Sequence, residues 1–509
     1  MFVLTLFLVV MDSSITTVAL PSIARQFAVP TAAIDGVVVV YPVCVGMVIP
    51  ASGWLGDRFG AKRVLLIAMA LFTASSALCG TADSVGALVG YRALQGLSGG
   101  MLTPVANALL FRTFTTQERV RVSRFMSIPQ QMAPAVAPLI GGWLVDGFSW
   151  RWVFYVNLPV GVCTVLFGAL CLREQRHEGA GRFDLPGLLL AAAGMGTLMY
   201  GLSEGAQAGW ATPRILGALC AGALLLAGTV WFELRTAEPM LRLRFFARRL
   251  FRDASVVNLF GLLSFQGAMY IAPLFLQEAR GLSAAASGSS TFTEAIGVML
   301  MVQLVSRIYG RMGPRRLISG GLLLVAATLA VMTGCDAHTG LWAFRGYMFL
   351  LGVGMGAVFM PAMVATFATV EQADVARAST LNMVLRQTSQ ALAPALVATV
   401  LAAGTVHGGG SAGANAVPAI GAYRAAYAVL AVIALAVAAY TALLMRDGSP
   451  RGPRGGLRGG GHGGGTSTRG RTLLGRIPRL PAARPPAASG RDTGAGPAAA
   501  HRAGRPALP

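Results

Sequence analysis

Charged residues are scarce in this sequence, and their scarcity limits the kind of protein it can encode. Asp, Glu, Lys and Arg make up 12% of the 509 residues, whereas an ordinary soluble domain carries about a quarter. Long apolar runs, separated by short charged segments, extend from Met1 to Met445. This pattern excludes a soluble domain over that range and is typical of an all-α protein that crosses the membrane many times.

Residue types that build metal and redox sites are few and scattered. The six cysteines form no C-x-x-C pair, and the five histidines fall in loops or in the C-terminal tail. We therefore expect no metal site and interpret the cysteines as small buried residues. A membrane-bound enzyme would need a surface cluster of His, Asp or Cys, which the sequence lacks, so we expect no enzyme activity and no cofactor.

The net charge of +21 raises the question of a nucleic-acid partner. Residues 446–509 hold 12 Arg, two Asp and no Glu, so the tail supplies +10 of that charge. Its Gly, Pro, Arg and Ala cannot bury a core, and we predict a disordered, solvated tail. Binding of RNA or anionic lipid by this tail is the alternative, but we expect no nucleic-acid partner because membrane topology explains the remaining charge.

Apolar stretches long enough to cross a bilayer predict fourteen spans. With the N-terminus placed inside, the six inner loops carry 21 basic residues and the seven outer loops carry five. Basic residues favour the cytoplasmic side, so we predict that both termini are cytoplasmic. The predicted spans are residues 2–22, 34–55, 64–82, 85–110, 125–145, 152–172, 184–203, 215–233, 255–276, 285–306, 317–334, 343–364, 379–401 and 421–445.

An internal repeat divides these spans into six, two and six. Residues 53–60 after span 2 are echoed by residues 310–316 after span 10, and the glycine pair of residues 96–100 is echoed by residues 352–356. Such glycines let helices approach closely, and repeated halves with a substrate site between them are typical of secondary transporters. The predicted parts are an N-terminal six-helix bundle (1–172), two extra central helices (173–253), a C-terminal six-helix bundle (254–445) and the tail (446–509).

Two charged residues lie inside apolar spans of the first half. Asp12 is about eleven residues into span 1, roughly 17 Å along the helix, which predicts a position near mid-membrane. A carboxyl group there should face a cavity or a partner and can bind and release a proton. Arg92 in span 4, followed by Gln95, must also pair, and Asp12 is one candidate. The alternatives are a purely structural hydrogen-bonding role for Asp12 and an interfacial, snorkelling Arg92.

Further polar and helix-bending residues lie in spans 5, 10 and 13. In span 5, prolines and glycines free backbone carbonyls and can form a rocking element or merely pack. The candidates for binding a substrate or cation are Glu294, Gln95 and Arg386, although a structural role for Glu294 remains open. The span-5 residues are Pro134, Pro138, Gly141 and Gly142.

Six motifs together resemble the major facilitator superfamily, specifically its fourteen-span drug:proton antiporter branch. The likeness covers residues 1–445, and each motif alone is weak. Ala61, Ala137 and Gly310 depart from the family's pattern. The motifs are residues 11–21, the span 2–3 loop at 53–63, the span-4 motif at 92–96, the span-5 motif at 137–142, residues 150–161, and Arg386-Gln387.

The resemblance implies a role for several of these residues. Asp12 and Arg92 are implied in proton coupling, and the span-5 motif in the direction of export. The span 2–3 loop is implied as a conformational switch that stabilises one conformer. Its residues are Gly53, Asp57, Arg58, Gly60, Lys62 and Arg63.

We therefore expect a monomeric transporter in the cytoplasmic membrane, driven by the proton gradient. It would export amphipathic drugs or other small molecules by alternating access between its two bundles. The alternative on the same fold is a dedicated exporter of one endogenous metabolite or antibiotic. A broad resistance profile would separate these two possibilities.

Overall fold

The chain is described here from a computed structural model. The described residues are 2–29, 34–113, 133, 136–172, 174, 184–236, 243–368, 370, 374–406 and 420–445. Met1–Pro450 form one compact unit. Every regular element in the described ranges is helical, which confirms the predicted all-α class. Pro134 and the predicted disordered tail lie outside the described residues.

The helices follow the predicted spans closely. One of the helices, residues 249–279, includes two π-helical turns, Val257–Gly261 and Phe275–Ala279. The helices are α1 (Phe2–Phe27), α2 (Asp35–Phe59), α3 (Ala61–Gly80), α4 (Val85–Thr113), α5 (Val136–Gly147), α6 (Trp152–Cys171, with a turn at Val156), α7 (Leu185–Ala208), α8 (Pro213–Arg235), α9 (Arg249–Ala279), α10 (Ala284–Met332), α11 (Leu341–Phe367), α12 (Val375–Val406) and α13 (Ile420–Leu444).

The number of membrane spans differs from a simple count of these helices. Ten helical segments among the described residues are long and apolar enough to cross a membrane. Predicted spans 10 and 11 lie in the single segment α10, which is broken at Gly313 and continues at Pro314. Gly313 has φ +74°, a conformation that favours glycine, and proline then restarts a helix. The count of fourteen therefore stays a prediction.

The repeated glycines bring helix backbones into close contact, as the sequence predicted. A methyl group built on Gly96 would lie 2.5 Å from the carbonyl oxygen of Tyr41, and one on Gly100 would lie 2.6 Å from that of Val45. In the second half, a methyl group on Gly352 would run into the carbonyl oxygen of Glu294. These contacts pack α4 on α2 and α11 on α10, which keeps each half rigid.

The two halves meet mainly at one end of the molecule. We call the end where α1 ends and α2 begins the far end, and the end where α2 meets α3 at Gly60 the near end. Gln277 Nε2, in the last turn of α9, donates to the carbonyl oxygen of Val18 at 3.0 Å. Helix α2 packs on α12, and the extra helix α7 contacts both. Contacts between the halves, among them the bond from Gln277 to Val18, therefore lie at the far end.

Candidate functional site

The carboxylate of Asp12 is fully buried inside the first half and accepts three hydrogen bonds. Arg92 Nη1 donates to Oδ2 at 2.5 Å. Gln95 Nε2 and Asn157 Nδ2 donate to Oδ1 at 2.9 and 2.8 Å. Helices α1, α4 and α6 thus converge on one carboxyl group, and the structure brings together the two residues that the sequence predicted for proton coupling.

Arg92 is held by more than its ion pair. Its side chain is 1% exposed, Nε donates to the carbonyl oxygen of Val37 at 3.2 Å, and Nη1 also donates to Gln95 Oε1 at 2.8 Å. The guanidinium carbon lies 4.3 Å from the centre of the Tyr41 ring and 5.8 Å from that of Phe154. Buried charges need such partners, since desolvation otherwise outweighs their attraction. The interfacial, snorkelling alternative for Arg92 is therefore wrong.

The sequence analysis missed two polar residues of this site. Ser76 Oγ accepts from Gln95 Nε2 and from Asn157 Nδ2, each at 3.1 Å, and donates to the carbonyl oxygen of Phe154 at 3.0 Å. Asn157 stood within a recognised motif but without a role, and Ser76 stood in an apolar run. A polar residue near the end of an apolar helix was the only signal available for either of them.

The predicted mid-membrane position of Asp12 stays a prediction, but the position of the site along the neighbouring helices can be described. Ser76, which accepts from the two amide groups that bind Asp12, is four residues from the last residue of α3, or about 6 Å. Arg92 is seven residues into α4, or about 10 Å from the same end of the bundle. The site therefore lies nearer to the far ends of α3 and α4 than to the middles of these helices.

The loop between α2 and α3 joins the near ends of α3 and α6. Lys62 Nζ donates to the carbonyl oxygens of Ala169 and Leu172 at 2.9 and 2.6 Å, where α6 ends. Glu174 accepts from the backbone N–H of Lys62 at 3.2 Å and lies 3.6 Å from Arg63 Nε. A carboxylate at a helix N-terminus is stabilising, so Glu174 fastens the start of α3.

Other residues of this loop differ in their surroundings. The carboxylate of Glu174 lies at the start of α3. Glycine is favoured at position 60 for two reasons. Its φ of +97° is a conformation that other residues rarely adopt, and a methyl group on it would run into Glu174. Gly53 and Arg58 are exposed.

The span-5 motif lies between the two halves at the far end. A methyl group on Gly141 would lie 2.7 Å from Ile15 Cγ1 of α1. A methyl group on Gly142 would run into the carbonyl oxygen of Ala284, and one on Gly288 into that of Pro138. Helix α5 therefore contacts both α1 and the beginning of α10 along its small residues.

Asp146 completes this contact and was not singled out in the sequence. Its Oδ1 accepts from the backbone N–H of Ala284 at 3.1 Å, and its Oδ2 accepts from that of Ala285 at 2.7 Å. These are unsatisfied N–H groups of the first turn of α10, at the positive end of the helix dipole. A charged group of the first half thus caps a helix of the second.

The three candidates for substrate binding do not form one site. Gln95 is fully buried beside Asp12. Glu294 lies on α10 and is 7% exposed, and no hydrogen bond joins its carboxylate to another described residue. Arg386 lies on α12 with an exposed side chain, next to Gln387, whose Cβ would lie 3.4 Å from a methyl group on Gly46. Glu294 and Arg386 belong to the second half, apart from the Asp12 site.

Comparisons with known proteins agree with this architecture. The Multidrug resistance protein B homolog of Mycobacterium tuberculosis (strain ATCC 25618 / H37Rv) is 30% identical over 394 residues, 77% of this chain and 73% of that protein. The Multidrug transporter protein MdtP of Bacillus subtilis (strain 168) is 30% identical over 360 residues, 70% and 66% of the two chains. The crystal structure of the POT family transporter PepTSo matches with a TM-score of 0.62 at 16% identity, over 87% of this chain and 96% of that one.

These relatives and structural neighbours are transporters, so the protein is a multi-pass membrane transporter and not an enzyme. The fold and family expected from the sequence are confirmed. A family model described as Major Facilitator Superfamily matches residues 2–394 and 254–487. The chain belongs to the major facilitator superfamily.

Proposed function

We propose that the protein exports amphipathic drugs or other small molecules in exchange for protons. The observation that carries the proposal is the Asp12 carboxylate, enclosed with Arg92 inside one half of a transporter fold. The carboxylate accepts from Arg92, Gln95 and Asn157, so three helices respond to a change in its charge. The names of the relatives, which are multidrug resistance and multidrug transporter proteins, favour drugs as the cargo.

The proton would act by changing the charge of this buried pair. With Asp12 ionised, the pair is neutral and held together in a water-poor interior. When Asp12 takes a proton, Arg92 loses its counter-charge. A buried charge without a partner costs free energy, which favours a rearrangement of the surrounding helices α1, α2, α4 and α6. Alternating access follows if that rearrangement is tied to the contacts between the halves.

The direction of transport follows from the two ends. The excess of basic residues places the near end in the cytoplasm. The contacts made by Asp146 and Gln277 then hold the external end closed in this conformer. Substrate would leave from the conformer that is open to the outside. A proton from outside would then bind Asp12 and favour the return to the conformer that is open to the cytoplasm. We further propose that the carrier works as a monomer in the cytoplasmic membrane, with both termini inside.

The substrate would bind in the second half of the fold, apart from the proton. Glu294 is a carboxylate on α10 without a hydrogen bond to another described residue, which suits an amphipathic cation. Arg386 on α12 is exposed and supplies a charge of the opposite sign. Because Asp12 is sealed inside the first half, substrate and proton would influence each other through the conformation and not by sharing one group.

Reconstituted vesicles test the proposed function directly. Purified protein is placed in vesicles with a pH-sensitive dye inside, and a panel of cationic, neutral and anionic amphipathic dyes is added. We expect uptake that needs a pH gradient, stops with a protonophore, and moves protons in the opposite direction to the substrate. Transport at full rate without a pH gradient would end the proposal.

The far-end contact gives a separate prediction about the cycle. We expect Gly288→Ala to push α10 away from Pro138 and to favour the conformer that is open at the far end. With the six native cysteines replaced, Val18→Cys keeps the backbone carbonyl that accepts from Gln277. This buried position reports the opening through its reaction with a membrane-impermeant maleimide added to cells. The labelling rate should rise at least fivefold.

A second glycine of α10 supplies the matched control for this experiment. A methyl group on Gly320 meets no heavy atom within 4 Å, so Gly320→Ala should leave the labelling rate unchanged. Equal rates in the Gly288→Ala and Gly320→Ala proteins would show that the contact with Pro138 does not hold the far end closed.

A further inference from the structure

We propose that Asn157 is a positioning residue that donates a hydrogen bond to ionised Asp12 and accepts one from protonated Asp12. The inference rests on the proposed function, in which Asp12 carries the proton. It assigns a task to a residue that lies within the motif of residues 150–161 but was given no role there. The argument starts from the hydrogen bonds that each state of the carboxyl group requires.

The surroundings of Asp12 suit the ionised state. Its two oxygens accept from Arg92, Gln95 and Asn157. A protonated carboxyl group has an O–H to donate and needs an acceptor in the same place. A buried donor left without an acceptor loses the full free energy of its hydration, so the site requires an acceptor if Asp12 is to hold a proton.

Most acceptors around the carboxyl group are already in use. Gln95 Oε1 accepts from Arg92 Nη1 at 2.8 Å and lies 3.7 Å from Cys79 Sγ. Ser76 Oγ accepts from two amide groups, and its O–H donates to the carbonyl oxygen of Phe154. Neither group can serve Asp12 without giving up a hydrogen bond that it makes now.

The side-chain oxygen of Asn157 is the acceptor that is left over. Asn157 is fully buried, and its Oδ1 has no hydrogen-bond partner among the described residues. Buried polar atoms are rarely left unpaired, so this one calls for an explanation. A rotation of about 180° about the terminal torsion of Asn157 exchanges Oδ1 with Nδ2, and such torsions are broad in energy. Oδ1 gives up no hydrogen bond in this rotation, Nδ2 gives up its bond to Ser76 Oγ, and the O–H of Asp12 supplies the new bond to Oδ1.

Tyr41 is the other unpaired buried group near the site, and its position argues against it. Its hydroxyl has no partner among the described residues. A methyl group on Gly99 would lie 3.0 Å from that oxygen, which places the hydroxyl a turn beyond Gln95 along α4. No hydrogen bond joins the hydroxyl to the carboxyl group in the described part of the chain, whereas Asn157 Nδ2 lies 2.8 Å from Oδ1 of Asp12.

The proton step can be written with every charge in place. A proton from water binds Oδ1 of Asp12, the carboxyl group becomes neutral, and its O–H donates to the turned Asn157 Oδ1. Arg92 keeps its charge, and on release the proton returns to water and the amide turns back. In the described part of the chain, the titratable groups facing Asp12 are Arg92 of α4, Tyr41 of α2 and Cys79 of α3, while α6 contributes the uncharged Asn157.

Two substitutions of similar shape separate this role from simple packing. Asn157→Leu removes both donor and acceptor, and Asn157→Asp keeps a side chain that in its neutral form can donate and accept. Each protein is assayed in vesicles for proton-driven uptake over a range of pH, and for substrate exchange with no pH gradient. Exchange needs no net proton movement, so a merely structural defect would lower both activities together.

The expected results differ between the two variants. Asn157→Leu should lose proton-driven uptake at least tenfold and keep exchange within about a factor of two. Asn157→Asp should stay coupled, with the pH of half-maximal uptake displaced by one unit or more, because a second carboxyl group then titrates beside the first. Thr164→Val is the control, since the buried Thr164 hydroxyl donates only within α6, to the carbonyl oxygen of Val160 at 2.7 Å. It should match the wild type in both assays.

Several outcomes would overturn the inference. They are a parallel loss of uptake and exchange in Asn157→Leu, unchanged coupled uptake in that variant, and an Asn157→Asp protein as uncoupled as the leucine one. If Asn157→Leu fails to insert, the pH profile of Asn157→Asp decides alone, and an unmoved midpoint counts against the inference. A wild-type protein that ignores the pH gradient would instead refute the proposed function, a result read without any variant.

Discussion

Replacing Asp12 with asparagine should lower proton-driven export to the level of cells that lack the protein. The amide has nearly the same shape as the carboxyl group, and its oxygen can still accept from Arg92, so we expect the chain to fold and insert. It cannot bind and release a proton, however, so the cycle loses the step that couples it to the gradient. Drug efflux from loaded cells, with membrane content measured alongside, gives the result.

The matched control for this prediction is an acid at the surface. Asp83 lies in the far-end loop between α3 and α4 with an exposed side chain. Asp83→Asn removes the same charge and should leave export within about a factor of two, since surface substitutions rarely disturb a fold. Export at the wild-type rate by Asp12→Asn would mean that another group carries the proton, with Glu294 as the next candidate.

The pairing of Asp12 with Arg92 could be predicted from the sequence because an unpaired charge inside an apolar helix costs free energy. Two opposite charges in apolar helices must each find a partner, and few partners exist in such a chain. Asn157 and Ser76 carry no such penalty, since uncharged polar residues occur throughout membrane helices. Only the three-dimensional convergence of α1, α3, α4 and α6 shows that they belong to the same site.

The depth of a residue and the continuity of a helix were harder to predict from the sequence than the pairing of buried charges. The depth of Asp12 was predicted by counting along α1 alone, whereas the position of the site along α3 and α4 depends on where Ser76 and Arg92 lie in those helices. The break in α10 depends on the positive φ of Gly313, which leaves the hydrogen-bonded helix nearly continuous. The cap formed by Asp146 was hidden for a similar reason, because nothing local in the sequence places it opposite the first turn of α10.

Removing the arginine should destabilise the protein more than removing the acid. Arg92→Leu leaves the Asp12 carboxylate buried at 0% exposure with two amide donors and no counter-charge. Breaking a buried ion pair in this way typically costs about 3–5 kcal/mol. We expect a lower midpoint of thermal unfolding for the purified protein in detergent, together with the loss of proton-driven transport.

The double variant decides whether the loss comes from the unpaired charge. Asp12→Asn combined with Arg92→Leu removes both charges, so it should be more stable than Arg92→Leu alone. Arg25→Leu is the control, because the exposed Arg25 of α1 donates, within the described ranges, to Ser22 alone at 2.9 Å. Its loss should change stability by at most about 0.5 kcal/mol. The double variant could instead have as low a midpoint of thermal unfolding as Arg92→Leu. In that case the contacts of Arg92 with Val37, Gln95 and the aromatic rings stabilise the bundle, and the ion pair does not. Protonation of Asp12 could then break the ion pair without destabilising the fold.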